Sequence, residues 1–253
     1  MHGSPQKRDK ITIGLVVPFA TDDVPAEGIQ MYPDVTFIAR GVGVRSLTPQ
    51  GYDSAHEGIR PAAEYLAGKG VDAIMIIGTS LTFYRGAQAH ARLLETLRAT
   101  TGLPVSTMSQ AVVDGLRSVG AHRIAVSTAY ADEVNKRLGQ FLTDNGFDVL
   151  ALEGFGLTGF GDPGRKSEQD IIDLSIKVCA DAKAAEGVLI SCGGLRTLKV
   201  AKPIEERCGI PVVSSTQAAF WAALRLVGDS GRLAGYGRML EQSSAPARQP
   251  AAH

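Results

Sequence analysis

The chain has little to offer for metal, redox or nucleotide chemistry. Among its 253 residues are three cysteines, Cys179, Cys192 and Cys208. That odd number, without close pair spacing, argues against both a disulfide framework and a zinc site. There is no excess of either charge: 26 Lys and Arg balance 26 Asp and Glu. A neutral balance offers no footprint for nucleic acid or for an anionic membrane. No apolar run approaches the roughly 20 residues that span a bilayer. Met1 to Lys10 is polar and lacks the apolar core of a signal peptide, so a reducing cytoplasm is the expected location. No GxGxxG follows the first apolar run and no GxxxxGK[ST] occurs, so neither a nicotinamide nor a nucleotide is implied. Of the five histidines, His2 and His253 fall in terminal tails. His56, His90 and His122 show no metal-ligand spacing and are expected on the surface. No metal and no cofactor is expected.

What is present is an α/β alternation. Strands are expected at Ile11–Val17, Val35–Ala39, Ala73–Ile77, Pro104–Ser106, Arg123–Ser127, Phe147–Leu152, Gly187–Ser191 and Pro211–Val213. Between and after them, helical spacing covers Gly51–Gly70, Gly86–Ala99, Ser109–Val119, Asp132–Asn145, Glu168–Ala184, Thr197–Cys208 and Gln217–Val227. Continuously apolar strands alternating with helices indicate a parallel sheet covered on both faces. Gly70, Gly102, Gly120, Gly146 and Gly209 stand where helix C-caps belong. Gly154–Gly164 (GFGLTGFGDPG) reads as a Gly-rich loop with two exposed phenylalanines, Phe155 and Phe160, either a lid or pocket wall or a flexible surface loop.

The chain also repeats itself. Thr101–Gly120 (TGLPVSTMSQAVVDGLRSVG) and Cys208–Gly228 (CGIPVVSSTQAAFWAALRLVG) share a Pro-Val, a Ser/Thr cluster, a Gln-Ala and a closing Leu-Arg-x-Val-Gly. Upstream of each lies an apolar strand with a small-residue turn, IMIIGTS at 74–80 and VLISCGG at 188–194. The expected fold is α/β: two pseudo-symmetric Rossmann-like halves, each a mostly parallel sheet flanked by helices. Residues 10–107 with 214–240 form the first half and 108–213 the second, with disordered ends at 1–9 and 241–253. Ligands of open α/β sheets sit beyond the carboxyl ends of the strands, so Gly78–Ser80 and Cys192–Gly194 face one cleft.

Aligning the two turns sets Gly78 opposite Cys192, Thr79 opposite Gly193 and Ser80 opposite Gly194. Proton exchange through two thiols needs one on each face of the substrate, and Gly78 supplies none. Protonation from one face remains open. A thiol with an ordinary pKa near ~8.5 is loaded at neutral pH yet can give up its proton. Cys192 follows a buried strand and is expected to open a helix, where backbone N–H groups meet an anion. Cys179 and Cys208, inside helical patterns, are expected to be buried structural residues. Thr79 and Ser80 offer hydroxyls as well as N–H groups, though they also suit simple N-capping. Gly193 and Gly194 offer bare N–H groups. Tyr130, just past the strand at 123–127, is a weaker candidate donor, since a tyrosine at a strand end often only packs.

Taken together, IGLVVP (13–18), VPAEGIQMYPD (24–34), SLTPQGYD (46–53), GTSLTFYRG (78–86), TGLPVSTMS (101–109), STAYADEVNKRL (127–138), SCGGL (191–195) and GYGRM (235–239) resemble the arylmalonate decarboxylases of the aspartate/glutamate/hydantoin racemase superfamily. The resemblance implies a monomer with its site between two halves, Cys192 as proton donor, and no cofactor. It implies a dioxyanion hole from backbone beside Pro18, from Thr79, Ser80 and Tyr130, and from Cys192 and Gly193, with Gly194 alongside. It implies a small dicarboxylic acid as substrate, whose departing carboxylate sits in an apolar pocket. Gly78 stands where racemases and maleate isomerases of the superfamily carry a second cysteine. Val44 and Leu47 keep the aliphatic character of a pocket lining. Phe19 replaces a second proline, and Phe160 and Pro163 replace smaller or more flexible residues. The alternatives are a maleate isomerase or racemase, which needs a base at position 78, and a non-catalytic binder of small carboxylates.

Overall fold

In a computed structural model of the chain, the structure describes residues 10–242. Residues 1–9 and 243–253, with the expected disordered ends and His2 and His253, lie outside the described residues.

The chain builds β1 (Thr12–Val17), α1 (Ala26–Met31), β2 (Thr36–Gly41), α2 (Pro49–His56), α3 (Ile59–Ala67), β3 (Ala73–Ile76), α4 (Thr79–Phe83), α5 (Ala87–Thr101), β4 (Val105–Thr107) and α6 (Met108–Ser118). It continues with β5 (Arg123–Tyr130), α7 (Asp132–Asp144), β6 (Asp148–Leu157), α8 (Glu168–Asp181), β7 (Gly187–Ser191), α9 (Ala201–Cys208), β8 (Val212–Ser214), α10 (Ser215–Leu226) and α11 (Arg238–Glu241). Two four-stranded parallel sheets result, in the orders β2-β1-β3-β4 and β6-β5-β7-β8. The two orders are the same, and the sequence repeat falls on equivalent elements, β4–α6 and β8–α10.

Burial explains the arrangement. Every residue of β3 (AIMI) and β7 (GVLIS) is buried, as are five of the six residues of β1. A fully buried Ile, Leu or Val contributes about 1.5–3 kcal/mol, so these strands take central positions, flanked on both faces by helices. The half-exposed β2 and β6 take the edges. Helix α10 is buried from Ser215 through Leu224 and packs on β3, β4, β8 and α6. An apolar circumference of this kind stabilises a helix only inside a core.

In each sheet the chain reverses its lateral direction between the first and third strands of that half, β1/β3 and β5/β7. These are the topological switch points where loops diverge and leave a crevice. They place Pro18 and Phe19 beside Gly78–Ser80 in one half, and Tyr130 beside Cys192–Gly194 in the other.

Several expectations change. The single helix expected over Gly51–Gly70 is two, α2 and α3, separated at Glu57–Gly58, with α2 started by the Thr48 side chain and Pro49. Strand β6 runs on to Leu157, so the first four residues of the expected loop 154–164 are strand, held by pairing with β5 out to Tyr130. Phe155 and Phe160 are half-buried, not exposed, and Phe155 lies under Lys166 with Nζ 4.6 Å from its ring. Glu241, expected in the tail from 241, closes α11 because its carboxylate accepts the Gly235 N–H at 2.9 Å and pairs with Lys202 at 3.2 Å. His90 is buried, not on the surface. Its Nε2 meets Thr107 Oγ1 at 2.7 Å, and burial, aided by Arg98, lowers its pKa to about 4. It is a neutral brace for the residue that caps α6. Cys179 and Cys208 are half-buried and share one groove, where full burial was expected, because both lie near helix ends.

Candidate active site

A cavity of about 270 Å³ opens between the carboxyl ends of the two sheets. Pro18, Phe19, Val44, Leu47, Gly78, Thr79, Ser80, Tyr130, Phe160, Cys192, Gly193 and Gly194, the residues singled out from the sequence, all line it. So do Tyr52, Leu81, Met108, Thr216, Phe220 and Glu27, which the sequence reading did not single out.

Cys192 does not open a helix as expected: β7 ends at Ser191 and α9 starts only at Ala201. The intervening backbone is a turn, with the Leu195 N–H on the Cys192 carbonyl at 3.2 Å. Among the described residues Cys192 is the one non-glycine with positive φ, 156°. Such outliers gather at functional sites. The counterpart turn also starts on positive φ, at Gly78 (114°), and there α4 does follow directly. The thiol is 5 % exposed and takes the Gly194 N–H at 3.4 Å. Burial pushes its pKa up to about 11, against the opposing pull of the Gly194 N–H. A thiol acting as proton donor must be protonated, so the activity of the site should be flat across neutral pH. It should fall as pH rises through about 11, because the folded-state pKa is raised. A pH–rate profile for kcat checks this, and a fall centred near pH 7 contradicts it.

The donors around the thiol are held from below. The Thr79 hydroxyl donates to Ser215 Oγ at 2.9 Å, and Ser109 Oγ donates to the Thr79 carbonyl at 2.8 Å. In the repeat, Ser109 aligns with Thr216, whose hydroxyl lies 3.5 Å from the Gly193 carbonyl, so the two turns are braced by equivalent residues, at the starts of α6 and α10. Tyr130 is held by a knot at the end of β5. Its N–H donates to Thr128 Oγ1 at 3.1 Å, Thr128 Oγ1 donates to Asn135 Oδ1 at 2.6 Å, and Asn135 Nδ2 donates to the Tyr130 carbonyl at 3.1 Å. Gly154 lets this knot close, since a Cβ there would fall on the Tyr130 carbonyl and lie 2.6 Å from both Asn135 Nδ2 and Thr128 Oγ1. Phe83 packs edge-on against the Tyr130 ring, centroids 5.8 Å apart.

Among the described residues, the buried hydroxyls of Tyr52 and Tyr130 lack a hydrogen-bond partner. Leaving such groups unmatched costs about 1–3 kcal/mol each, so two of them in one cavity mark a place for an acceptor. Burial raises both tyrosine pKa values, keeping the hydroxyls as donors. Pro18, without an N–H, cannot donate, and its carbonyl takes the Val44 N–H at 2.8 Å. It is a wall. Among the described residues no Lys or Arg lines the cavity. Among the described residues no cluster of three or more His, Cys, Asp or Glu is set to hold a metal ion.

The rim joins the two halves. Ser46 bridges Gly159, the Leu47 N–H meets the Thr158 carbonyl at 2.9 Å, and Phe19 stands edge-on to Phe160 at 6.2 Å. Ser109, Ser215 and Thr216 were legible in the repeat, as its Ser/Thr cluster. Tyr52 lies within SLTPQGYD (46–53), a stretch that carries the resemblance without marking the tyrosine itself.

Known proteins resemble this sequence and share this fold. The arylmalonate decarboxylase family model matches residues 13–240. Arylmalonate decarboxylase of Bordetella bronchiseptica is 43 % identical over 239 residues, covering 94 % of this chain and 100 % of the relative. A glycine-to-cysteine, cysteine-to-serine double variant of arylmalonate decarboxylase, solved in its liganded form, superposes with a TM-score of 0.90 at 42 % identity, covering 92 % of this chain and 100 % of the other. Maleate cis-trans isomerase of Nocardia farcinica, bound to TRIS, shares the fold, with a TM-score of 0.84 at 20 % identity over 92 % and 98 % of the two chains. With nearly its whole described length matched, the chain belongs to the arylmalonate decarboxylase family.

Proposed function

We propose that the protein is a carboxy-lyase that decarboxylates α-aryl or α-alkenyl malonates without a cofactor and protonates the product from one face through Cys192. The observation that carries this reading is a cavity whose described lining holds one thiol, Cys192, among hydroxyl and backbone N–H donors and apolar walls, with Glu27 as its one charged group and no Lys or Arg. One carboxylate of the substrate accepts from the hydroxyls of Thr79, Ser80 and Tyr130 and the N–H groups of Cys192 and Gly193, with Gly194 alongside. The other lies against Val44, Leu47, Phe19 and Phe160, where poor solvation favours its loss as neutral CO2. The C–C bonding pair passes into an enediolate, whose developing charge the donors stabilise. The thiol proton moves to the α-carbon, and the thiolate recovers a proton from water. With its pKa raised, that thiolate reloads readily. For Thr79 to donate to the substrate, its bond to Ser215 reverses, which makes Ser215 a positioning residue. Because Gly78 carries no base, the isomerase and racemase alternatives lack their second group.

The same reading takes residues 10–107 with 214–240 as one half and 108–213 as the other, supported by the packing of α10 on β3 and β4. It takes the protein as a monomer, as the resemblance to the arylmalonate decarboxylases implies. Its setting is a reducing cytoplasm, in keeping with three free cysteines. Among the described residues no helix is long and apolar enough to cross a membrane.

The test is CO2 release across a small panel of malonates, with chiral analysis of the acid formed. Release of CO2 from phenylmalonate with one product hand in excess supports the reading. Tight binding of malonates without CO2 release would leave a carboxylate binder instead. Tyr130→Phe removes one oxyanion donor and is expected to lower kcat by about 10²–10³-fold, measured by the same assay. A loss below threefold removes Tyr130 from the oxyanion hole.

A further inference from the structure

Away from the cleft, α8 and α9 pack side by side and bring Cys179 and Cys208 together. Helices antiparallel to the strands place their carboxyl ends at the amino-terminal edge of the sheet, opposite the cavity. Cys179 lies in the last turn of α8, and Cys208 is the final residue of α9. Both thiols are free, half-buried and line one open groove of about 300 Å³. Lys183 and Arg207 line the same groove, and among the described residues no carboxylate does. None of the groove residues lines the active-site cavity.

We propose that Cys179 and Cys208 form a modifiable dithiol, converted to an intramolecular disulfide by a small anionic disulfide such as oxidised glutathione, while Cys192 is spared. The two cations favour approach of an anionic oxidant. Burial and the Cys179 thiol next to it raise the pKa of the Cys208 thiol; the steps are equivalent in either order, taken here from Cys179. Its thiolate displaces one glutathione thiolate and leaves a mixed disulfide. Cys208 then gives up its proton, attacks the Cys179 sulfur and releases the second glutathione. Two protein thiols are oxidised to one disulfide, one glutathione disulfide is reduced to two thiols, and the two protons pass to the leaving thiolates. The cross-link closes a loop of about 30 residues around β7 and the Cys192 turn. Stabilisation without loss of the site follows, because the staple and the cavity lie at opposite edges of the sheet. The proposal does not depend on the reaction assigned to the cleft.

The experiment treats the full chain with oxidised glutathione and maps peptides by mass spectrometry without reduction. Expected are an intact mass lower by about 2 Da, a linked peptide pair containing Cys179 and Cys208, and Cys192 still alkylated once the chain is unfolded. Tm should rise by several degrees and return on reduction. Cys179→Ser and Cys208→Ser should each abolish both the linked pair and the Tm shift. Separate glutathione adducts without a cross-link, a linkage that includes Cys192, or no reaction of the folded chain would each overturn the proposal.

Discussion

Cys192→Ala is expected to lower kcat on phenylmalonate by about 10²–10⁴-fold, the usual contribution of a positioned general acid, while Tm stays within a few degrees. The substitution removes the thiol and leaves the backbone N–H and the Gly193–Gly194 turn in place. Substrate binding should therefore change little, and the loss should appear in kcat rather than in KM. The thiol is in a confined position, 5 % exposed at the end of a fully buried strand. Among the groups lining the cavity it alone is a thiol, and Tyr52 and Tyr130 are weaker acids whose pKa values burial raises further. Cys192→Ser keeps nearly the same shape but has a hydroxyl of far higher pKa, so it should not restore turnover. Product made at wild-type rate by either variant would rule out Cys192 as the donor.

Gly78→Cys should change the stereochemical outcome more than the rate. The position is the counterpart of Cys192 across the cavity. A Cβ there would meet Leu81 Cβ at 3.4 Å, Leu81 Cδ2 at 3.7 Å and Pro18 Cβ at 3.8 Å, all ordinary contacts. Space permits the side chain; the backbone resists it, because φ is 114°. Holding a side chain in such a conformation costs about 1–3 kcal/mol, which should appear as a lower Tm. The added thiol puts a second proton carrier on the opposite face. Deuterium exchange at the α-carbon of the product should accelerate at least about tenfold, the scale of general acid–base assistance, and enantiomeric excess should fall. Gly78→Ala carries the same backbone strain without a thiol and separates the two effects. Exchange in Gly78→Cys no faster than in Gly78→Ala would show that the two turns do not face a common substrate.

How much was legible in the chain depended on the range of the physics involved. Strands such as Ile74–Ile76 and Gly187–Ser191 announce themselves, because a buried parallel strand needs an uninterrupted apolar run. The repeat by itself pairs Gly78 with Cys192. The helix expected after Cys192 did not form there, since a turn of nine residues precedes α9. Tyr52, though inside SLTPQGYD, is not marked as a site residue by any local pattern, as its hydroxyl matters only where α2 meets the cavity. Likewise, the helical spacing around Cys179 and Cys208 reads as two separate buried cysteines, and only the packing of α8 on α9 makes them neighbours.

The sequence by itself determined the α/β alternation, the duplication, the single thiol in the second turn and the glycine facing it. These follow from local hydrophobic period, from residue identity and from similarity between segments of one chain. Tertiary structure decided the rest: the switch points that gather both turns around one cavity, the unmatched hydroxyls of Tyr52 and Tyr130, the rise in the Cys192 pKa, and the edge-on Phe19–Phe160 pair at the rim. Desolvation and hydrogen-bond matching depend on which distant groups share a space. That is set only when both sheets have closed around it.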